Sequence, residues 1–183
     1  MGKHTGDKGY SLIEVMVVLA LMGLIPALAT PVLSAIINSS RINNGAEAIF
    51  NSLQLTRSEA AKRNSRVVMC KSSTGQECAD SGDWQQGWII FQDSNNNGVV
   101  DSGEDIIYRE GPQSAQLKLS GNGPVKDYVS YNAYGKSKLT TGAFQAGTIT
   151  VCLHSAGKTD ARTVVINSSG RPRMDKTKVA QCV

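Results

Sequence analysis

The sequence predicts an α+β protein in which one long N-terminal helix packs by its second half on antiparallel strands. Three features point there. Residues 15–37 form an uncharged apolar run. Downstream, Ile42, Ala46, Ile49, Leu53, Thr56 and Ala60 recur at three- and four-residue steps, which draws one apolar stripe along a helix. Beyond Arg66 the pattern changes to short β-branched and aromatic segments separated by Gly, Asn and Asp clusters.

The first element is read from its length. At 1.5 Å per residue, a helix over 15–37 reaches about 35 Å, enough to cross the roughly 30 Å of a bilayer's hydrocarbon. Lys3 and Lys8 precede it and all four cysteines follow it, so the positive-inside rule places the remainder in an oxidising exterior compartment. Pro26 and Pro31 each remove a backbone donor, and kinks or a locally melted segment are expected there. Gly23, Ala20, Ala27 and Ala29 permit close approach of other helices. Glu14 is the only charged residue from Tyr10 to Ile37. A carboxylate in hydrocarbon is costly unless paired, and the α-amine of a neighbouring, staggered chain is its natural counter-ion.

The helix should continue over 38–66 as an amphipathic segment, with Arg41, Glu47, Arg57, Lys62 and Arg63 mostly off the stripe. The strand candidates are Val67–Met69, Gly87–Phe91, Asp105–Tyr108, Tyr128–Tyr131, Thr148–Leu153 and Thr163–Ile166. These belong to a β-rich head over 67–183, and the roughly 140 residues after the membrane segment suffice for one core. The expected organisation is therefore a polar leader over 1–9, a membrane and assembly helix over 10–37, its amphipathic continuation and the head.

Four cysteines allow three pairings, and sequence alone does not choose among them. Cys70 and Cys78 are close enough in the chain to staple a hairpin or loop, which leaves Cys152 to tie down Cys182 near the C-terminus. Two isolated histidines and no C-x-x-C spacing argue against a metal centre. Catalysis is not expected either. His4 and His154 are the only imidazoles, and no nucleophile elbow, P-loop, dinucleotide fingerprint or metal-binding helix accompanies them.

Charge is unevenly distributed. From Glu77 to Glu110 eight acids face Arg109 alone, whereas the segment from His154 to the end carries six basic residues against Asp160 and Asp175. Within the acidic part, residues 93–104 fit the twelve-residue EF-hand calcium loop, with Asp93, Asn95, Asn97, Asp101 and Glu104 as oxygen ligands and Gly98 at the turn. The flanks read as strands where an EF-hand has helices. The other reading is a polar hairpin tip in which Asn97-Gly98 supplies the positive-φ turn, with no cofactor.

In the basic part, Gly170-Arg171-Pro172-Arg173 is followed by Lys176 and Lys178. Gly170 and Pro172 disfavour regular structure, so the arginines are expected on a loop running from Ile166 to the Cys182 anchor. Guanidinium groups pair bidentately with phosphate, and clustering them makes a local positive potential suited to DNA. No aromatic residue lies between Ile166 and the end. Binding would then be electrostatic, without base stacking.

The sequence Gly9-Tyr10-Ser11-Leu12-Ile13-Glu14-Val15 resembles the processing site of type IV prepilins and type II secretion pseudopilins. The resemblance implies cleavage between Gly9 and Tyr10 by a prepilin peptidase, N-methylation of the new amine, and a role for Glu14 in assembly. Asn51 to Asn64, followed by Val67, Cys70, Cys78, Trp84, Gly87-Trp88, Phe91 and Asp93, resembles the GspH/FimT family of minor pilins and pseudopilins. This likeness spans nearly the whole chain and is densest from Leu53 to Glu104. It implies a type IV pilin-like fold and a subunit that sits in or primes a filament tip. The implied partners are major and minor pilins and an inner-membrane assembly platform. The chain would be single-pass in the inner membrane, with its head in the periplasm, before extraction into a pilus or pseudopilus.

Gly170-Arg171-Pro172-Arg173 further resembles the G-R-x-R element of FimT-type pilins that bind DNA in natural transformation. That likeness makes Arg171 and Arg173 DNA contacts, with Lys176 and Lys178 as auxiliary phosphate partners. The alternatives are a GspH-like pseudopilin of a type II secretion system and a purely structural, assembly-priming minor pilin. The intramembrane acid supplies the first test: Glu14→Gln should leave the chain expressed but lower its recovery in sheared filaments at least tenfold, measured by immunoblot.

Overall fold

The computed structural model describes residues 9–182, with side chains described outside 23–32. Its residues group into two compact units divided between Asn38 and Ser39. Helix α1 runs from Leu12 to Arg63. The backbone is helical through both Pro26 and Pro31, so the melted segment expected from those prolines is not formed. A proline deletes one donor, and the other hydrogen bonds of the turn hold the helix together.

In the second unit the stripe is buried as the periodicity predicts. Ile42 is 3% exposed, and Ala46, Ile49, Leu53, Thr56 and Ala60 are fully buried. The helix stops where Asn64 adopts a left-handed conformation (φ 49°) and the Ser65 N–H donates to the Ala60 carbonyl at 3.3 Å. This closes the last turn as a Schellman-type cap and turns the chain into the first strand.

Eight strands follow, β1(Arg66–Lys71), β2(Trp88–Asp93), β3(Ile106–Glu110), β4(Leu117–Gly121), β5(Tyr128–Tyr131), β6(Gly147–Leu153), β7(Thr159–Ile166) and β8(Pro172–Val179). They form two four-stranded antiparallel sheets, ordered β3-β2-β1-β5 and β4-β6-β7-β8. One core joins the helix to both sheets. Val67, Met69, Trp88 and Ile90 come from the first sheet, and Leu119, Ile149, Val151 and Val164 from the second. At Gly45 the helix approaches the second sheet so closely that a Cβ would lie 3.1 Å from Leu117 and 3.2 Å from Val151.

Both core tryptophans and Thr56 have their polar atoms paired. Trp88 Nε1 donates to Ser52 Oγ at 2.9 Å, Trp84 Nε1 donates to the Val125 carbonyl at 3.1 Å, and Thr56 Oγ1 donates to the Ser52 carbonyl at 2.6 Å. The opposite face of the first sheet is buried as well, because Val68, Cys70, Ile89 and Phe91 pack under Cys78, Val100 and Tyr128. Cys70 is disulfide-bonded to Cys78 and Cys152 to Cys182.

Two buried carboxylates give the fold opposite pH signatures. Hydrogen bonds from Arg63 and Lys62 hold the Glu59 carboxyl below its ordinary value of 4.5. Its contribution is present above that value and is lost as pH falls through the lower folded value. Burial raises the Asp93 carboxyl above 3.8, outweighing its Gly98 and Asn97 N–H donors. That group favours the fold at low pH and loses the contribution as pH rises through its folded value. Glu59→Gln should therefore flatten the acid limb of stability below about pH 4.5 while lowering stability at pH 7, as read by urea melts across pH.

Candidate functional site

The basic C-terminal element is built on a turn and a strand. Asn167 organises the turn: its Oδ1 accepts the N–H groups of Ser169 at 3.2 Å and Arg171 at 3.0 Å, and its carbonyl accepts the Gly170 N–H at 2.9 Å. Gly170 has φ 77° and is buried. Pro172 then opens β8, paired with Ile166 of β7. The two arginines do not share the expected irregular loop. Only Arg171 lies in the turn, whereas Arg173, Lys176 and Lys178 belong to β8. Proline is tolerated because it stands first in an edge strand, where little pairing depends on its missing N–H. The far end is pinned by the Cys152–Cys182 disulfide and by paired backbone hydrogen bonds between Ser155 and Cys182.

The four cations differ in their surroundings. Arg173 Nε lies 3.0 Å from Asp175 Oδ2, and Lys178 Nζ lies 3.5 Å from Asp160 Oδ1. Among the described residues, Arg171 and Lys176 have no carboxylate within ion-pair distance. Lys176 is paired across the ladder with Arg162, which places like charges side by side. All four tail cations are exposed. Exposed ion pairs of this kind are weak, so an incoming phosphate competes easily with Asp175 for Arg173.

A second turn, which sequence reasoning passed over, lies against the first. After β5 the chain reverses over 132–136, where Asn132 Oδ1 accepts the N–H groups of Tyr134 and Lys136, each at 3.1 Å. Gly135 has φ 66°, and its carbonyl accepts a 2.9 Å hydrogen bond from Arg57 Nε on α1. A Cβ on Gly170 would lie 2.5 Å from that same carbonyl oxygen, 2.8 Å from the Ser137 nitrogen and 3.0 Å from Tyr131 Cε1. The two turns and the helix thus meet at one point. The Tyr131 hydroxyl beneath them is buried, without a hydrogen-bond partner among the described residues, and burial pushes its pKa up against the opposing charge of Arg57.

A groove of about 560 Å³ runs between α1 and the second turn, lined by Gln54, Leu55, Arg57, Ser58, Tyr134 and others. The available signal was an aromatic beside a glycine and a lysine in Asn132-Ala133-Tyr134-Gly135-Lys136. Its relevance depended on Gly135 meeting Gly170, 35 residues away in sequence.

The other sequence-derived sites lie elsewhere. Residues 1–8 of the expected leader are outside the described residues. Gly9 and Tyr10 precede α1, and Glu14 is exposed in its first turn, where the helix dipole favours an acid. Among the described residues no helix is long and apolar enough to cross a membrane.

The acidic segment joins strands β2 and β3. Left-handed backbone falls on Asn96, Gly98 and Gly103, so of the expected Asn97-Gly98 pair only Gly98 has a positive φ. Asp93 accepts the N–H groups of Asn97 and Gly98, both at 3.0 Å. Asp101 accepts the amides of Asn95 and Asn97, and Glu104 accepts the N–H groups of Ser94 and Asp101. Among the described residues no group of three or more His, Cys, Asp or Glu is placed to hold a metal ion.

A long N-terminal helix whose second half lies on two antiparallel sheets, with a disulfide-tethered last strand, defines a pilin-like fold. Two crystal forms of the type IV minor pilin FimU of Pseudomonas aeruginosa strain PAO1 share it. One superposes with a TM-score of 0.56 at 20% identity, covering 79% of this chain and 97% of that one. The other gives 0.52 at 20% identity, covering 77% and 99%. In sequence the chain is 28% identical over 174 residues to the Pilin-like protein PilA1 of Thermus thermophilus, covering 92% of this chain and 98% of that protein.

The family model described as Type II transport protein GspH matches residues 45–170, and the prokaryotic N-terminal methylation motif matches residues 5–28. The protein belongs to the GspH family, which comprises minor pilins and pseudopilins. The junction of the two turns is open to test, since Gly170→Ala combines a left-handed backbone with a steric conflict. It should destabilise the chain by about 1–3 kcal/mol, read as a lowered thermal midpoint.

Proposed function

We propose that this protein is a minor type IV pilin that is incorporated in or primes the pilus tip and binds DNA there for natural transformation. The carrying observation is that Arg171, exposed in the turn before β8, has no carboxylate within ion-pair distance among the described residues. Arg173 stands two residues on, with only an exposed partner. Lys176 and Lys178 extend the same edge strand. A duplex backbone carries closely spaced phosphates, and such an edge neutralises several of them without reading sequence.

The N-terminal element supports the filament part of this reading. Cleavage after Gly9 would free the Tyr10 amine, and the uncharged 15–37 run would hold the chain in the inner membrane, head in the periplasm, until extraction. Glu14 would then meet the amine of an adjacent protomer, and other pilins, the prepilin peptidase and the assembly platform are the partners this requires. The role is structural and recognitive, with no catalytic step and no resident cofactor. A second reading, a pseudopilin of a type II secretion system, is favoured by the match to the GspH description over 45–170.

The Arg171→Ala/Arg173→Ala double variant should be assembled into filaments at the wild-type level. Its affinity for unrelated duplexes should fall alike, and the slope of log K against log salt should decrease by about 1.8 in magnitude. Mobility-shift titration at several salt concentrations measures both. Salt-insensitive or absent binding by the wild-type chain would favour the secretion reading.

A further inference from the structure

The turn that carries Tyr134 adds to the arginine edge something that charge alone does not supply. Tyr134 is 85% exposed, an unusual position for a large aromatic in a rigid turn. The turn is held three ways: by Asn132 Oδ1, by Arg57 Nε on the Gly135 carbonyl, and by Gly170 packed on that carbonyl. Tyr134 precedes Gly135 and Arg171 follows Gly170, so covalent geometry keeps their Cα atoms within about 14 Å.

The charge at this place has one sign. The segments Asn132–Lys136 and Asn167–Arg171 contain Lys136 and Arg171 and no carboxylate. The groove beneath Tyr134 is lined by Gln54, Leu55, Arg57, Ser58, Ala61 and Gly135, again without an acid. Its volume of about 560 Å³ falls within the range of small-molecule pockets. Leu55 and Ala61 offer apolar surface to a base, and the Gln54 amide offers both a donor and an acceptor to a base edge.

We infer that this composite surface is a single-strand binding site, in which an unpaired base stacks on Tyr134 and enters the groove along α1 while Arg171, Lys136 and Arg57 hold the flanking phosphates. The inference rests on the DNA-binding reading above and makes its ligand more specific. Exposed aromatics beside a positive groove select single strands because every base offers a π-face once it leaves the duplex. A duplex keeps its bases stacked and presents only phosphate, so it engages the β8 edge and gains nothing from Tyr134.

The test uses the full chain in detergent micelles, with fluorescence anisotropy of a labelled oligo-dT, an abasic strand of equal length and a duplex. Tyr134→Ala should weaken oligo-dT binding by about five- to a hundred-fold and change duplex binding less than about twofold. Tyr134→Trp should retain oligo-dT binding, and the abasic strand should bind wild type no better than oligo-dT binds Tyr134→Ala. Equal oligo-dT affinity in wild type and Tyr134→Ala, with binding still lost in the Arg171→Ala/Arg173→Ala variant, overturns the single-strand site and leaves the electrostatic reading standing. Absence of binding to all three probes overturns both. Fewer filaments in Tyr134→Ala cells with unchanged oligo-dT affinity would assign the groove to subunit packing, against the inference.

Discussion

Burial of the apolar stripe on the second half of α1 is the constraint on which the head depends. The main core takes residues from the helix and from both four-stranded sheets. Ile42, Ala46, Ile49 and Leu53 supply surface against which both sheets close, and one contiguous cluster contains residues from all three bodies. Five of the six stripe positions are fully buried and the sixth nearly so. At roughly 25 cal/mol per Å² of apolar surface, this seam is a main source of the head's stability. A helix so used is rigid over its buried stretch, because any rotation would lift its stripe from one sheet or the other.

That rigidity propagates to the surface. Arg57 stands one residue past buried Thr56 and therefore has a fixed origin, from which its Nε reaches the Gly135 carbonyl. Gly135 in turn seats Gly170. A side chain anchored in the helical seam thus positions two turns that come from different sheets, one following β5 and the other preceding β8. The positive φ at Gly135 and at Gly170 lets the backbones touch where side chains would hold them apart. Residues presented at this junction begin from ordered backbone, so less conformational entropy is lost when they engage a ligand.

The helix stripe and six of the eight strands were legible in the sequence because each carries strong periodicity or a dense β-branched run. The two missed strands lack those signals for physical reasons. β4, Leu117-Lys118-Leu119-Ser120-Gly121, is short and ends in glycine, and its apolar residues gain meaning only in the folded core, Leu117 against the helix at Gly45 and Leu119 within the shared cluster. β8 is an edge strand with most of its residues exposed, so it needs no apolar alternation, and charged side chains protect such an edge from unwanted pairing. Its Gly-Arg-Pro opening read as a breaker. Tyr134 was invisible as a site residue for another reason: its importance comes from a contact between turns 35 residues apart, which no local pattern encodes.

The charge asymmetry also changes meaning once the chain is folded. In the acidic middle, Asp93, Asp101 and Glu104 accept N–H groups from their own loop, and Val100 from that loop helps cover the outer face of the first sheet. Upstream, Glu59 is held by Lys62 and Arg63. These carboxylates are occupied with folding. The tail is the reverse, because Arg171 and Lys176 stand without a carboxylate beside them among the described residues, and Arg173 and Lys178 have only exposed, weakly held partners. A nearly balanced sequence thereby acquires one strongly positive edge. Asp93, Asp101, Glu104 and Glu59 are bound into local structure, whereas the tail cations remain on a solvent-facing turn and edge strand fixed at both ends, by the Gly170 seat and by the Cys152–Cys182 disulfide.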